Sequence, residues 1–209
     1  MKLKDVSIVL MAFGVVVVLC SFLDFYALYY PIMADKPDWT FMVSQNTASL
    51  VSLPALGILM FWVGLNLSGL RHNNFAVNTA KLVCGALCTL FFLLIVLNMA
   101  MYGLSVNSVK TNKLEAVKAE NNTIKQQVNA EYTQNKAYIP VEKYDMAMKQ
   151  LEDDLTYKIN YINLTYVKTN VKTLATLFLF AILYLIAAIK LFTSTGAQPK
   201  GRRIYGYLP

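Results

Sequence analysis

Apolar residues along the chain are gathered in four long blocks, and one long polar stretch separates the last two blocks. The blocks cover residues 6–30, 49–70, 82–104 and 174–192. Each block matches the roughly 20 residues that a helix needs to cross about 30 Å of hydrocarbon. The pattern predicts an all-α integral membrane protein in three regions: three spans within residues 1–105, a polar region at 106–168, and a fourth span with a basic tail at 169–209.

The polar region carries apolar side chains at helical spacing. In its first half the seam positions are separated alternately by three and four residues, and they are Leu114, Val117, Asn121, Ile124 and Val128. In its second half the stripe consists of Tyr144, Met148, Leu151, Leu155, Ile159, Ile162 and Tyr166. This spacing is typical of a coiled-coil seam, on which Asn121 is the polar position. Pro140 ends a polar segment between the halves and predicts a turn. We expect a long antiparallel helical hairpin outside the membrane.

The two arms of this hairpin are expected to continue into the neighbouring spans. Residues 102–109 contain no helix-breaking proline, and the segment NLTYVKTNVKT before the fourth span contains neither proline nor glycine. Nothing there is expected to end a helix. The third and fourth spans are therefore predicted to be two long helices that cross the membrane and project beyond it.

The connection between the first two spans is predicted to be a short loop, PIMADKPDW. Trp39 and Phe41 at its end are expected to lie flat at the membrane interface, where aromatic rings are enriched. Pro54 stands in the first turns of the second span, and both a mild kink and a simple helix start remain open there.

Small residues in the third span indicate faces for close helix packing. Gly85 with Cys88, and Ala100 with Gly103, are two such pairs, and Asn98 is placed to hydrogen-bond to a neighbouring helix.

Cys20, Cys84 and Cys88 are the three cysteines of the chain, and all fall inside apolar blocks. We interpret them as small packing residues, since they form no disulfide pattern.

Charge predicts the orientation of the spans. The chain is 56% hydrophobic and 15% charged, with a formal net charge of +7. Its basic residues lie mostly at the ends of spans rather than in a patch suited to nucleic acid. Three basic segments fall on one side of a four-span chain, and they contain Lys2, Lys4, Arg71, Lys81, Lys190, Lys200, Arg202 and Arg203. Both termini are therefore predicted to be cytoplasmic, and the hairpin lumenal or periplasmic.

Residues that could support catalysis are sparse. The sequence contains no phosphate-binding glycine loop, no HExxH, CxxC or GxSxG motif. His72 is the single histidine, and its loop contains no further metal ligand. Glu152, Asp153 and Asp154 are consecutive, so they point to different sides of a helix and form a solvated face. We expect no enzyme activity.

The first half of the chain resembles the HpsJ-like family of cyanobacterial membrane proteins, named after hormogonium polysaccharide secretion. The resemblance rests on a first span ending in SFLDF, a loop with PDW and a second span carrying VSLPALGILMFWVG. It implies a cyanobacterial source and a non-catalytic accessory role. The compact extramembrane segment departs from the longer form that is common in the family.

Two functions are compatible with this pattern. The first is an accessory or assembly subunit of a larger membrane complex, with the photosynthetic complexes of the thylakoid as candidates. The second is a self-assembling scaffold or a component of exopolysaccharide export in the plasma membrane.

Asp24 is a candidate for partner contact because an ionisable residue at membrane depth is costly, although an interface position among aromatic residues is the alternative. The remaining candidates are Leu114, Val117, Asn121, Ile124, Val128, Met148, Leu151 and Leu155.

No cofactor is required by these residues. Contacts with chlorophyll, carotenoid or lipid stay open, and a chlorophyll ligand could be His72, Asn66, Asn98 or none of these residues. The expected partners are membrane proteins or further copies of the chain within the lipid bilayer.

Overall fold

The computed structural model describes residues 3–68 and 74–195, and that part of the chain is helical with no β-strand. Its elements are α1 (Leu3–Tyr29), α2 (Pro37–Leu50), α3 (Ser52–Leu67), α4 (Asn74–Gln134) and α5 (Val141–Thr195). Four stretches are long and apolar enough to cross a membrane: Asp5–Tyr29, Pro37–Leu67, Phe75–Gln134 and Val141–Thr193. The predicted all-α class with four membrane-length apolar helices is confirmed.

Some predicted features lie outside the described residues. These are the last two residues of the second span, the loop positions Arg71 and His72, the N-terminal Lys2, and the basic tail from Gly196 to Pro209.

The chain forms two compact units. The first, which we call the span unit, consists of Met1–Tyr30, Ser49–Leu97 and Leu177–Pro209, as far as these residues are described. The second, which we call the hairpin unit, consists of Pro31–Ala48 and Asn98–Thr176. Helices α4 and α5 each contribute to both units.

Helices α4 and α5 run without interruption, as the absence of helix breakers predicts. α4 contains 61 residues and α5 contains 55. Between the helices, the amide groups of Tyr138 and Ile139 both donate to the carbonyl oxygen of Asn135, at 2.8 and 3.1 Å. These bonds form the tight turn before Pro140, where the sequence predicted it.

The predicted loop PIMADKPDW is wrong at its end, because helix α2 begins at Pro37 and contains Trp39. Phe41, which was expected at the membrane interface after the loop, lies in the same helix. Pro37 occupies the first position of this helix, where a proline loses no hydrogen bond and its fixed φ suits the helix. Inside the helix, the Ser44 hydroxyl donates to the Thr40 carbonyl at 2.8 Å. Polar side chains that bond to their own helix in this way can be buried without an external partner.

The second span is interrupted at Val51, which separates α2 from α3. Pro54 is buried in the first turn of α3. Proline lacks the amide hydrogen that would bond the carbonyl four residues earlier, so it fits the start of a helix better than its middle. Of the two alternatives left open by the sequence, the structure has a helix start at this position.

Helices α1 and α3 pack backbone against backbone in the span unit. A Cβ atom built on Gly14 would lie 2.6 Å from the Gly57 carbonyl oxygen and 2.6 Å from the Phe61 amide nitrogen. A Cβ atom on Gly64 would lie 2.8 Å from the Ser7 carbonyl oxygen. Ser7 and Gly14 in α1, like Gly57 and Gly64 in α3, are seven residues apart. Small residues at a regular helical repeat allow this close approach.

The small faces predicted in the third span differ in outcome. Gly85 is packed, since a Cβ atom there would lie 3.0 Å from the ring of Phe192 on α5. Gly103 is not packed, because no atom of the described chain comes within 4 Å of a Cβ atom built there. The close packing predicted for Ala100 and Gly103 is therefore wrong at Gly103. A pair of small residues permits close packing, but it does not determine which helix lies next to it.

The cysteines also divide into two groups. Cys84 and Cys88 are buried, as expected for small packing residues, whereas Cys20 is exposed. The prediction of a packing role is therefore wrong for Cys20 within this chain.

Next to Cys88, Phe91 is buried and its ring lies 5.6 Å from that of Tyr184 and 5.8 Å from that of Phe25. Aromatic contacts thus form the centre of the span unit.

Candidate functional site

The two predicted seam rows lie on the less exposed faces of α4 and α5 in the hairpin unit. Asn121 is buried, and the apolar seam positions are half-buried: Leu114, Val117, Ile124, Val128, Met148, Leu151 and Leu155. Tyr166, at the end of the second stripe, is buried as well. Since this burial arises within one chain, it fits packing between the arms, and contact of these residues with a separate partner stays a prediction.

Polar contacts fix the register of the two arms. Lys125 donates to Glu152 at 3.0 Å, and Lys158 donates to Glu120 at 3.4 Å. Glu120 comes before Lys125 in α4, whereas its partner Lys158 comes after Glu152 in α5, so the helices run antiparallel. Lys158 and both glutamates are largely exposed, and exposed pairs of this kind contribute less than about 1 kcal/mol each. Their main effect is on register.

The tip of the hairpin is closed by two stacked tyrosines. The rings of Tyr132 and Tyr144 are 4.3 Å apart with an interplanar angle of 22°. The Tyr144 hydroxyl also donates to the side-chain oxygen of Asn129. A small pocket of about 230 Å³ beside them includes Glu131 and Lys143 in its wall.

An aromatic clamp holds α2 against both long helices within the hairpin unit. The ring of Phe41 on α2 lies 5.4 Å from Tyr102 on α4 and 5.6 Å from Tyr166 on α5, stacked on both. The Tyr102 hydroxyl donates to the side-chain oxygen of Asn170 at 2.6 Å, which joins α4 to α5 directly. The ammonium group of Lys113 lies 5.5 Å above the Tyr166 ring, a cation–π distance. Phe41, which was expected to lie flat at the membrane interface, is thus the centre of the clamp.

A buried polar group adjoins the clamp. The Ser44 hydroxyl, which already bonds within α2, lies 3.4 Å from the Asn98 carbonyl oxygen on α4. Asn98 is fully buried, so its predicted position against another helix is observed, with its backbone as the acceptor from Ser44. Thr47 on α2 is also fully buried. The Thr47 hydroxyl has no hydrogen-bond partner in the described chain, so the specific polar contact between α2 and α4 here is the one from Ser44 to Asn98.

Asp24 lies near the end of α1 with its side chain exposed, next to the buried Phe25. Within the described chain it forms no ion pair. The exposed carboxylate is open to an external partner or to the membrane interface, and its role stays a prediction.

A second row of apolar side chains runs along the exposed face of α5, opposite its seam. Tyr157, Tyr161 and Leu164 are spaced by four and three residues and are 71%, 60% and 55% exposed. The rings of the two tyrosines are stacked, with centroids 6.4 Å apart. We call these three residues the outer row. This row was not predicted from the sequence, because the predicted stripe of α5 was the one that joins the arms.

The described residues contain no group of three or more His, Cys, Asp or Glu side chains that could hold a metal ion. The geometry of the hairpin unit is that of a packed helical pair with an exposed aromatic row, which can bind another surface. Comparison with protein-family models, with curated proteins and with solved structures finds no match to this chain. The resemblance to HpsJ-like proteins stays a prediction.

Proposed function

We propose that the protein is a non-catalytic accessory or assembly subunit of a larger membrane complex, with a helical hairpin outside the membrane as its contact surface. In this proposal the four apolar helical stretches cross the bilayer, and α4 and α5 continue beyond it as a coiled-coil hairpin. The resemblance to HpsJ-like proteins favours a cyanobacterial membrane. Our first candidate for this complex is a photosynthetic complex of the thylakoid, including complexes whose subunits carry pigments.

The observation that supports this proposal is the outer row of α5. Tyr157, Tyr161 and Leu164 present contiguous apolar surface beyond the predicted fourth span, which begins near residue 174. A coiled-coil hairpin needs only its inner stripe, so a second exposed row adds nothing to its own folding. Exposed aromatic residues at helical spacing are typical of helices that bind a partner surface.

The predicted orientation gives this surface a compartment. Basic segments at both ends of the chain and in the loop after the second span favour cytoplasmic termini. The hairpin would then lie in the thylakoid lumen or the periplasm. A Tyr138→Cys variant tests on which side of the membrane the hairpin lies, because Tyr138 is 88% exposed at the turn. In sealed membranes, a membrane-impermeant thiol reagent added from one side should react with this cysteine only if the hairpin lies on that side.

Native purification tests the subunit proposal directly. The protein carries a tag at its C-terminus, is extracted in mild detergent, and is analysed for mass and absorbance. Co-elution with other membrane proteins in a fixed ratio would support the proposal, and chlorophyll or carotenoid absorbance would identify a photosynthetic complex. A colourless particle whose mass is a multiple of 23.5 kDa would contradict it.

A pair of variants then locates the contact. Tyr157→Ser with Tyr161→Ser removes the aromatic surface without touching the seam, and we expect recovery of the partner to fall at least about tenfold, as for aromatic hot spots. The matched control replaces Ala116 and Ala119 by Ser on the exposed face of α4. Equal recovery of the partner from both variants would exclude the outer row as the contact.

The alternative function is a homo-oligomeric scaffold or a component of exopolysaccharide secretion. One observation favours self-association: Asn121 is buried on the seam, and its side-chain nitrogen has no hydrogen-bond partner in the described chain. A single buried Asn on a coiled-coil seam fixes register and the number of strands. Asn121→Leu is expected to change the particle mass if the amide pairs with another copy. Unchanged mass and unchanged partner recovery would exclude this role.

A further inference from the structure

A long apolar groove of the span unit lies between α3 and α5. Its volume is about 580 Å³, within the roughly 300–1,000 Å³ of typical small-molecule sites. Cys88 and Tyr184 lie at its floor and are buried, while Leu56, Leu59 and Leu183 form exposed apolar walls. A surface of this composition in a membrane-crossing region is suited to a hydrocarbon chain.

One end of the groove carries a positive charge. Lys190 is the charged residue of the lining, and its ammonium group forms no ion pair within residues 3–68 and 74–195. It stands three residues before Thr193, where the apolar run of α5 ends. A lysine in this position extends its ammonium group towards the head-group layer while its methylene chain stays on apolar surface.

We propose that this groove binds an anionic phospholipid of the surrounding bilayer, with an acyl chain between α3 and α5 and the phosphate group at Lys190. The lining offers apolar contact along its length, and it contains the cation of Lys190 at one end and no acidic residue. This complements a lipid whose head group has a net negative charge. A zwitterionic lipid fits the apolar part equally well, but its own cation offsets the attraction to Lys190.

Trp62, which lines the groove, provides a reporter for the bound chain. The only other tryptophan is Trp39, and Trp39→Phe leaves Trp62 as the single indole fluorophore. The protein is reconstituted in phosphatidylcholine vesicles that contain increasing fractions of a phospholipid brominated on its acyl chains. Bromine quenches tryptophan fluorescence at contact, so the titration reports occupancy next to Trp62. The brominated lipid is phosphatidylglycerol in one series and phosphatidylcholine in the other.

We expect half-maximal quenching at a roughly fivefold lower fraction of brominated phosphatidylglycerol than of brominated phosphatidylcholine, as attraction by one lysine near the bilayer surface predicts. Lys190→Gln should remove this difference and leave quenching by phosphatidylcholine unchanged. Ala187→Phe, which fills the groove, should reduce quenching by both lipids. Ile186→Phe is the matched control, because Ile186 is 54% exposed and does not line the groove.

Two results would overturn the proposal. Equal quenching by the two lipids in the Trp39→Phe protein would show that the groove does not select anionic lipid. Equal quenching curves for Ala187→Phe and Ile186→Phe would show that the lipid near Trp62 does not occupy the groove. Circular dichroism of each variant establishes that the helices are intact.

Discussion

The hydroxyl group of Tyr184 on α5 donates a buried hydrogen bond of 2.9 Å to the carbonyl oxygen of Val51. Val51 is the residue that separates α2 from α3, three residues before Pro54. No water reaches a helix interruption inside a membrane, and a neighbouring helix can supply a hydrogen-bond donor to a carbonyl group there. The Tyr184 side chain supplies this donor from a position 133 residues away in the chain.

Tyr184→Phe tests the value of this bond. The substitution keeps the ring that packs on Phe91 and removes only the donor. We expect a loss of about 1–2 kcal/mol in the free energy of unfolding, the upper range for hydrogen bonds between membrane helices. Unfolding of the purified protein by sodium dodecyl sulfate in mixed micelles measures it. Tyr26→Phe is the control, because Tyr26 is 67% exposed on α1, and equal stability of the two variants would contradict the assigned role.

Gly14→Ala is expected to separate α1 from α3. The added methyl group would meet two backbone atoms at 2.6 Å, and backbone cannot rotate away as a side chain can. We expect destabilisation by about 1–3 kcal/mol, the usual cost of overpacking. Gly103→Ala is the control, because the space around Gly103 is open, and there alanine should be neutral or stabilising by up to about 1 kcal/mol. The same detergent titration compares the two variants, and a stable Gly14→Ala protein would show that the helices are not in backbone contact.

Phe41→Ala is expected to release α2 from the clamp. Phe41 stacks on Tyr102 and Tyr166, and its truncation removes both contacts at a cost of about 2–4 kcal/mol, since the ring is only half-buried. Hydrogen exchange measured by mass spectrometry should show faster exchange of amides in residues 37–50. Its neighbour Met42 is 49% exposed, and Met42→Ala should leave exchange unchanged. Unaltered exchange in the Phe41 variant would mean that the clamp does not hold α2.

Reversal of one ion pair tests the register of the hairpin. Glu152→Lys places a second positive charge next to Lys125, and the repulsion should destabilise the hairpin by less than about 1 kcal/mol. Lys125→Glu in the same chain restores opposite charges and should recover the loss. Both effects should decrease as salt concentration rises. The free energy of unfolding of the single and double variants at two salt concentrations gives the coupling, and absence of recovery would contradict the register.

The long helices could be predicted from the sequence because their determinants are local. Neither proline nor glycine interrupts the second arm of the hairpin before the fourth span, and Pro140 marks the turn. The half-buried face of each arm follows from residue spacing alone, and Asn121 is buried where the seam places it.

Helix α2 and the clamp could not be predicted in the same way. Pro37 followed by Asp38 is a local signal for a helix start, but these residues belong to the predicted loop over residues 31–39. The partners of Phe41 are set by tertiary packing. Tyr102 and Asn170, which join the arms beside it, are 68 residues apart, and no local pattern links them. The glycine contacts between α1 and α3 likewise depend on which helices become neighbours.

The antiparallel pairing of α4 with α5 has a consequence for how the chain folds. Contacts between the arms span increasing sequence distances away from the turn: 15 residues for Asn129 with Tyr144, 27 for Lys125 with Glu152, and 38 for Glu120 with Lys158. Once the contact nearest the turn has formed, each later contact closes only a short additional loop, at a small entropic cost. The arms can therefore assemble progressively from the turn, and such low contact order is associated with fast folding. Pairing of the arms requires no prior arrangement of the rest of the chain.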